Sequence, residues 1–191
     1  MEQKYIVEKD FNKNNFTQNP LSKGEYENCN FINCDFSNSD LSSIRFMDCL
    51  FESCNLSMVK LIKTSFQNIK FKNSKMLGLH FENCNEFSFS VNFENCNLNH
   101  ASFYKTNLKK TIFKNITLQE VDFTESDLSS SIFDNCDLLK ATFENTIIEK
   151  TDFRTSFNYS INPETNRIKK AKFALNGLPG LLDKYDIEID I

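Results

Sequence analysis

Large apolar residues recur every five positions along most of this chain. They run from Phe11 to Phe81 as Phe, Leu, Tyr or Met, and they resume from Phe93 to Phe153 as Phe, Leu or Ile. The residue two positions before each of these centres is mostly small or β-branched. Side chains two apart in an extended segment point to the same face, so each five-residue unit is predicted to bury its centre and the smaller residue before it.

One such unit buries too little apolar surface to be stable, so many units must stack with backbone hydrogen bonds between successive coils. Taking every fourth centre gives a column of one residue type: Phe11, Phe31, Phe51, Phe71, Phe93, Phe113, Phe133 and Phe153. We therefore predict twenty residues per coil and four sides per coil. At the usual strand spacing of about 4.8 Å, roughly seven coils would make a rod about 35 Å long.

The period is interrupted once, near the middle of the chain. The letters FENCN occur at 81–85 and again at 93–97, a gap of two units plus two extra residues. Because Phe93 continues the column that contains Phe71, the insertion must leave the four sides in place. We expect it to be absorbed locally, as a bulge or a widened corner, at residues 85–91.

The bulge is the first region in which to look for a kink or a partner site. Either Phe87 or Phe89 supplies its inward centre, and we expect Phe87 to point inward. The other ring would then be exposed, and Tyr104 follows a centre on the next coil. Exposed aromatic residues can anchor protein interfaces, so the candidate partner-site residues are Phe87, Phe89 and Tyr104.

Several segments carry a resemblance to a known family. CDFSN (34–38), VDFTE (121–125) and SDLSS (126–130) resemble the pentapeptide-repeat family, whose motif is approximately A(D/N)LXX. The resemblance implies an all-β fold, a right-handed quadrilateral β-helix with a short C-terminal capping helix. The expected organisation is an N-terminal cap at 1–10, the β-helix at 11–157 with its bulge at 85–91, and a C-terminal strand, helix cap and dimerisation tail at 158–191.

The two ends of a β-helix expose unpaired strand edges that need covering. At the amino end, we expect Tyr5 and Ile6 to lie on a short strand over the first coil. The carboxy-terminal letters LPGLLDKYDIEIDI predict a short helix over GLLDKYD and an alternating strand over IEIDI.

This tail is similar in position and pattern to that of the Qnr and MfpA branch of the family, in which a helix closes the β-helix and the tail builds a twofold dimer. The resemblance implies a homodimer, with a cap on a monomer as the alternative. The candidate cap and dimer residues are Leu178, Leu181, Leu182, Tyr185, Ile187, Ile189 and Ile191.

Composition and charge exclude several classes of protein. The chain has 191 residues, which is most simply one domain, and a net charge of −4 with acids and bases intermixed. We therefore expect no direct binding of nucleic acid and no attraction to an anionic membrane. There is no apolar run of 18 residues and no signal-peptide pattern at the amino end, so we expect a soluble cytoplasmic protein.

No residue pattern predicts catalysis, a cofactor or a metal site. All seven cysteines lie three positions after a centre, the place of the smaller inward residue, where they are predicted to be small, reduced, buried side chains and not disulfides or zinc ligands. His80 and His100 are expected to face outward without triad-like partners. Outward asparagines follow the Phe column by two positions and are expected to form a structural amide ladder. They are Asn33, Asn73, Asn95, Asn115 and Asn135.

Two hypotheses for function follow. The favoured one is a non-enzymatic protein-interaction scaffold whose partner is unknown. The alternative, implied by the Qnr resemblance, is a DNA mimic that binds the type II topoisomerases DNA gyrase or topoisomerase IV and modulates quinolone sensitivity. That role requires a one-sided acidic surface, because the DNA-binding saddle of the partner is positive. Charges on the Phe side alternate in sign instead, for example Glu52, Lys72, Glu94 and Lys114.

Overall fold

The protein folds as a right-handed quadrilateral β-helix, as the resemblance to the pentapeptide-repeat family implies. The computed structural model describes residues 4–189. Its strands, all parallel, are β1 (Lys4–Val7), β2 (Asp10–Asn12), β3 (Gly24–Glu27), β4 (Asn30–Ile32), β5 (Arg45–Met47), β6 (Leu50–Glu52), β7 (Ser65–Gln67), β8 (Ile69–Lys72), β9 (Val91–Glu94), β10 (Ile112–Lys114) and β11 (Ile132–Asp134).

Two sheets and a series of single bridges form the sides of the rod. β1, β3, β5 and β7 make a four-stranded sheet, and the other seven strands make a sheet in the order β11-β10-β9-β8-β6-β4-β2. The remaining sides pair through isolated parallel bridges such as Ser102 with Asp122. In that bridge Asp122 N donates to Ala101 O at 3.0 Å, and Phe103 N donates to Asp122 O at 2.8 Å. Each coil therefore hydrogen-bonds to both its neighbours.

The column of phenylalanines stacks along the inside of the seven-stranded sheet, which we call the Phe side. Phe11 pairs in register with Phe31, and Phe113 pairs with Phe133, which confirms the twenty-residue coil. Neighbouring ring centroids lie between 4.6 and 5.4 Å apart. Each fully buried ring contributes roughly 1.5 to 3 kcal/mol of hydrophobic stabilisation. The interior is therefore filled by side chains and forms a packed core.

The corners explain how a chain with only four glycines can turn so often. The residue two after most centres adopts a left-handed conformation, as Lys105 does with φ of 55°. At the same corner Thr106 N donates to Phe103 O at 3.0 Å. A positive φ at the third residue together with this bond defines a type II turn. Such corners use ordinary residues in a conformation that usually favours glycine.

Acidic and amide side chains just before the centres support these corners. Asp122 Oδ1 accepts a hydrogen bond from Thr124 N at 2.8 Å, and Asp127 Oδ1 accepts one from Ser129 N at 3.0 Å. This Asx turn gives the backbone a fixed local partner. It supplies a physical reason for Asp or Asn at the second position of the repeat.

The small buried residues do more than fill space. Ser131 Oγ donates to Leu108 O at 2.7 Å, and Cys136 Sγ donates to Phe113 O at 3.4 Å, in each case 23 residues earlier. The hydroxyl or thiol thus satisfies the carbonyl of a centre in the previous coil. The same bond is made by Thr64, Thr146, Thr151 and Ser156.

The predicted asparagine ladder is present on four consecutive coils. Asn95 Nδ2 donates to Asn73 Oδ1 at 3.0 Å, and the same bond links Asn115 to Asn95 and Asn135 to Asn115 at 2.9 Å. Asn33 is separated from this ladder because Ser53 occupies the next coil. Asn73 and Asn95 lie on either side of the insertion and are still hydrogen-bonded to each other, so the inserted residues do not interrupt the ladder.

The amino end joins the solenoid directly. β1 pairs with β3 in register, with Ile6 opposite Tyr26, so the first described coil starts at β1. Ile6 is half-buried against the core, whereas Tyr5 is exposed. The expected short strand is confirmed, and Ile6 rather than Tyr5 covers the interior.

The carboxy end is closed by two 3-10 helices, Leu175–Leu181 and Asp183–Tyr185. Glycine lets the first helix lie against Tyr159, because a Cβ on Gly177 would lie 1.9 Å from Tyr159 Oη. Tyr159 in turn packs on Phe153 and Phe173, with centroids 5.8 and 5.7 Å apart. The last coil is therefore sealed by a tyrosine held under a short helix.

Two details of the predicted tail are wrong. The helix begins at Leu175, before the predicted GLLDKYD, and Pro179, which has no N–H to donate, lies inside the helix and not ahead of it. Residues 187–189 form no strand, since no neighbouring strand pairs with them within residues 4–189. Ile191 lies outside the described residues.

The left-handed corner conformation predicts that replacing Lys170 with glycine and replacing the adjacent Lys169 with glycine change the stability of the protein in opposite directions. Lys170 has φ of 61°, whereas Lys169 does not adopt a positive φ, and both are exposed. Lys170→Gly should raise the free energy of unfolding by roughly 0.5 to 1 kcal/mol, because it removes side-chain strain. Lys169→Gly should lower it by a similar amount. Urea unfolding of both variants checks this, and equal effects would contradict the strained-corner account.

Burial also predicts the chemistry of the cysteines. Burial raises the pKa of the Cys49, Cys54 and Cys136 thiols to about 12. Because the thiolate is the reactive species, these groups stay protonated and unreactive at pH 8 while the protein is folded. Ellman's reagent should therefore modify them only as the protein unfolds, with all seven cysteines reacting in denaturant. Lys110→Cys at the exposed surface serves as the fast-reacting control, and rapid labelling of the native protein would refute the prediction.

Candidate partner-binding site

The insertion is absorbed within a few residues, as predicted. Asn85 N donates to Thr64 O, 21 residues earlier, which is the spacing of the preceding coils. Ser90 N donates to Phe66 O, 24 residues earlier. Beyond it, β9 pairs with β8 in register. The chain between Asn85 and Ser90 therefore departs from the rod and returns to it without shifting the coils above.

The choice between the two phenylalanines of the bulge was predicted wrongly. Phe89 packs against the core, with its ring centroid 6.2 Å from that of Phe81, whereas Phe87 is 72% exposed. Phe89 shares the inward face of Val91 and Phe93 because these residues are two apart in an extended segment.

A local turn directs Phe87 to solvent. Phe87 N donates to Asn85 Oδ1 at 2.9 Å, and Ser88 adopts a left-handed conformation with φ of 57°. The chain therefore turns outward at residues 85–88, and Phe87 is carried at the outer side of that turn.

A cleft lies beside this turn, with a volume of about 380 Å³. Phe89 and Tyr104 both line it, so the structure brings together two of the three predicted partner-site residues. Phe87 projects from the same bulge but does not line the cleft. We call the surface formed by Phe87, Phe89 and Tyr104 the bulge surface.

An acidic residue at the cleft was not predicted from the sequence. Glu82 lies in a 3-10 turn, Phe81–Asn83, that starts the irregular segment. Its Oε1 lies 2.8 Å from His80 Nδ1, while its Oε2 is buried without a hydrogen-bond partner in the described part of the chain. The repeated letters FENCN place a glutamate directly after the centre in both copies, Glu82 and Glu94. The letters do not distinguish the two, because Glu94 lies on the Phe side and pairs with Lys114.

Both histidines face outward, as predicted. His80 contacts Glu82, and His100 Nδ1 lies 3.4 Å from Glu120 Oε2. Their rings are exposed and pair with single carboxylates. Among residues 4–189, there is no cluster of three or more His, Cys, Asp or Glu side chains with the geometry to hold a metal ion.

Charges on the Phe side form a ladder of alternating sign. Lys72 Nζ lies 3.7 Å from Glu52 Oε1, and Lys114 Nζ lies 3.6 Å from Glu94 Oε1. Exposed pairs of this kind contribute about 0 to 1 kcal/mol each, so their main effect is on the surface potential. The outward face of the seven-stranded sheet therefore carries neither a purely acidic nor a purely basic field.

The predicted cap and dimer residues lie together at the carboxy end. Leu181 is half-buried against the core. The others that the structure describes keep a large part of their side chains exposed: Leu178, Leu182, Tyr185, Ile187 and Ile189. Tyr185 Oη donates to Glu164 Oε1 at 2.9 Å, which ties this segment to the preceding loop. We call these five exposed residues the tail patch.

None of the helices within residues 4–189 has the length and apolar character needed to cross a lipid bilayer.

Comparison with known proteins agrees with this architecture. Solved structures of two trypsin-treated variants of QnrB1, described as a plasmid-mediated fluoroquinolone resistance protein, are similar to this chain. One is 19% identical and aligns over 100% of both chains with a TM-score of 0.64, and the other is 20% identical over 98% of both chains with the same score. HetL, involved in heterocyst differentiation regulation in Nostoc sp. strain PCC 7120, is 14% identical over 88% of this chain and 84% of its own, with a TM-score of 0.48.

At 19 to 20% identity, the likeness to the QnrB1 variants concerns the fold alone. No curated protein matches this chain. The family model described as Pentapeptide repeat region matches residues 25–87 and 88–158, which together make up more than half of the sequence. This chain therefore belongs to the pentapeptide-repeat family.

Proposed function

We propose that this protein is a non-catalytic scaffold that binds a partner protein through the bulge surface. The observation that carries the proposal is the position of Phe87, a large apolar side chain that is 72% exposed on an inserted turn. Exposing a phenylalanine forgoes roughly 1.5 to 3 kcal/mol of burial. A partner that covers the ring recovers this free energy, and aromatic residues are frequent anchors of interfaces.

The surroundings of Phe87 support the same conclusion. Tyr104 and Phe89 add partly exposed aromatic surface next to the inserted turn. The flanking coils are held by continuous backbone ladders, so this surface is presented on a rigid support. A rigid aromatic patch binds with a low cost in conformational entropy. Elsewhere, the buried hydroxyls of Ser131 and Thr151 donate to backbone carbonyls, which leaves them engaged in the fold.

The second candidate function is the Qnr-like one, binding of DNA gyrase or topoisomerase IV as a DNA mimic. It is favoured by the likeness to QnrB1, which runs over the full length of both chains. The alternating ladder on the Phe side argues against it, because a DNA mimic must present mainly negative charge to a positive saddle. We therefore place it second to binding through the bulge surface.

We further propose a homodimer formed through the tail patch. Its leucine, isoleucine and tyrosine side chains are exposed at one end of the rod, where a twofold axis would bury the same residues of both copies. The rod would then present two bulge surfaces, one from each protomer.

Photo-crosslinking tests the scaffold proposal. A benzophenone amino acid at Phe87 should crosslink one dominant protein in the native host, whereas the same group at Met58, also exposed, should not. With that partner purified, Phe87→Ala should weaken binding at least tenfold, because it removes a buried anchor. Met58→Ala should change the affinity less than twofold. Equal effects of the two substitutions would refute the bulge surface as the binding site.

A supercoiling assay tests the second candidate. Purified protein is titrated into DNA gyrase with and without ciprofloxacin. Inhibition of supercoiling, or protection from the drug, would support the DNA-mimic role. Unchanged supercoiling at high micromolar protein in both conditions would remove it.

Light scattering tests the dimer. The protein should have twice the mass of one chain, and Ile187→Asp should convert it to a monomer, because a buried charge is costly in an apolar interface. Ile112→Asp, at an exposed position on the Phe side, serves as the control and should leave the mass unchanged. A monomeric parent protein would contradict the proposal.

A further inference from the structure

Four exposed lysines line one corner of the rod on the carboxy-terminal side of the bulge. Lys110, Lys150 and Lys170 occupy the same corner position on three coils, with φ of 61°, 62° and 61°, and Lys169 comes directly before Lys170. Backbone bonds stack the coils at this corner, as Lys110 N donates to Ser129 O at 3.1 Å and Lys150 N donates to Lys169 O at 3.0 Å. We call these four lysines the lysine edge.

The positive charge of the lysine edge is not neutralised by neighbouring acids. Asp127 Oδ2 lies 3.0 Å from Lys109 Nζ, and Glu149 Oε1 lies 2.7 Å from Arg167 Nη2, so these acids pair with bases outside the edge. Within residues 4–189, none of the four lysines forms an ion pair. Lysine is charged at neutral pH. Four unbalanced positive charges therefore lie along one corner of a protein whose net charge is −4.

The lysine edge borders the same side of the rod as the bulge. In each coil this side comes directly before the Phe side, and it consists of the sheet β1-β3-β5-β7 before the insertion and of single bridges from Asn107 to Arg167 after it. Because β10 pairs with β9 in register, Lys110 stands one coil beyond Ser90, where the chain rejoins the rod. At about 4.8 Å per coil, the edge starts beside the bulge and runs for roughly 14 Å.

An extended acidic segment fits the length of the lysine edge. A strand rises by about 3.3 Å per residue, so carboxylates at every second position of a five-residue segment span roughly 13 Å. This span is close to that from Lys110 to Lys170. Lysine ammonium groups are point charges on flexible stems, so they can contact carboxylates without a fixed geometry.

The width of the lysine edge favours a peptide over a nucleic-acid duplex. Lys150 is flanked by Glu149 on one side of the corner and by Asp152 on the other, and both acids are paired with bases. The unbalanced positive charge is therefore confined to the corner itself. A duplex spreads its phosphates over a broad surface and needs a positive field of matching width, whereas a single peptide chain can follow one corner.

We propose that the lysine edge binds an acidic segment of the partner protein, while the bulge surface binds an apolar patch next to that segment. The proposal rests on the scaffold function and specifies the chemistry of its partner. Charge complementarity of this kind speeds association and fixes the relative orientation of two proteins more than it adds affinity. Phe87 thus supplies the anchor, and the lysine edge selects partners that carry the acidic segment.

A peptide of six glutamates tests the proposal without the partner. N-acetyl-hexaglutamate amide is added to the 15N-labelled protein at low salt, and amide shifts are followed at Lys110, Ser130, Lys150 and Lys170 along the corner. The corresponding hexaglutamine peptide is the uncharged control. We expect saturable shifts with the glutamate peptide and none with the glutamine peptide. Raising the salt to a physiological concentration should weaken binding at least fivefold, because ions screen exposed charges.

A matched pair of double variants locates the charge. Lys150→Gln with Lys170→Gln removes two positive charges from the lysine edge, whereas Lys13→Gln with Lys75→Gln removes two beyond the opposite edge of the Phe side. Lys13 is also an exposed corner lysine, with φ of 57°, and Lys75 is exposed. The first double variant should weaken binding of the glutamate peptide at least fivefold, and the second should change it less than twofold. Absent shifts, equal binding of hexaglutamine, or equal effects of the two double variants would each overturn the proposal.

Duplex DNA in the same titration distinguishes the two kinds of polyanion. We expect the duplex to bind no more tightly than the glutamate peptide. Tighter binding of the duplex, lost in the Lys150→Gln, Lys170→Gln variant, would identify the lysine edge as a nucleic-acid surface and overturn the proposal.

The failure of this proposal can be separated from failure of the scaffold function. If Phe87→Ala disrupts the purified partner complex while the Lys150→Gln, Lys170→Gln variant does not, the bulge surface is the binding site but the partner presents no acidic segment to the edge. If the lysine variant weakens the complex and Phe87→Ala does not, the lysine edge binds the partner and the bulge surface does not. If neither variant affects the complex, both proposals are wrong.

Discussion

The parallel hydrogen-bond ladder between successive coils is the constraint on which the rest of this structure depends. Every coil must offer its amides and carbonyls in register with the coils on either side, which sets twenty residues per coil except between Phe71 and Phe93, where two extra residues loop out of the ladder. Once the length is constant, the centres fall into columns, and the Phe rings stack at 4.6 to 5.4 Å. The corners must then turn at fixed positions, whichever residue stands there. Lys105 and many other non-glycine residues accept a positive φ for this reason.

Most of the solenoid could be predicted from sequence because one physical rule is applied many times. The period of five fixes which side chains point inward, and the column from Phe11 to Phe153 fixes the number of sides. Position alone also placed the cysteines inside, although it did not reveal that Cys136 donates to Phe113 O in the previous coil. That bond depends on where two coils meet in space, which no local pattern encodes.

The bulge and the cap were harder to predict because the repeat no longer decides between alternatives there. Spacing from the neighbouring centres favoured Phe87, but the turn at Asn85 and the inward face shared with Val91 selected Phe89. At the carboxy end, the helix is set by its contact with Tyr159, and the apolar alternation of Ile187 and Ile189 did not produce a strand. Glu82 escaped notice because its unpaired oxygen is a property of the folded cleft.

These departures from the repeat are where the function is proposed to lie. The regular coils satisfy their backbone groups through the ladder and bury their centres in the core. The inserted turn instead exposes the Phe87 side chain. That exposure costs free energy in the isolated chain and would be compensated in a complex. The bulge thus presents an exposed aromatic ring on a stable backbone support.

The most direct test of this account is the thermal stability of a variant in which residues 86–90 are replaced by the three-residue segment Phe-Thr-Asn. This replacement removes the two extra residues and restores the five-residue period, with Val91 and Phe93 unchanged. If the insertion serves binding and the ladder alone supports the fold, the variant should melt at or above the temperature of the parent protein. A variant that melts well below its parent, or fails to fold, would show that the insertion is part of the structural framework and would contradict the account.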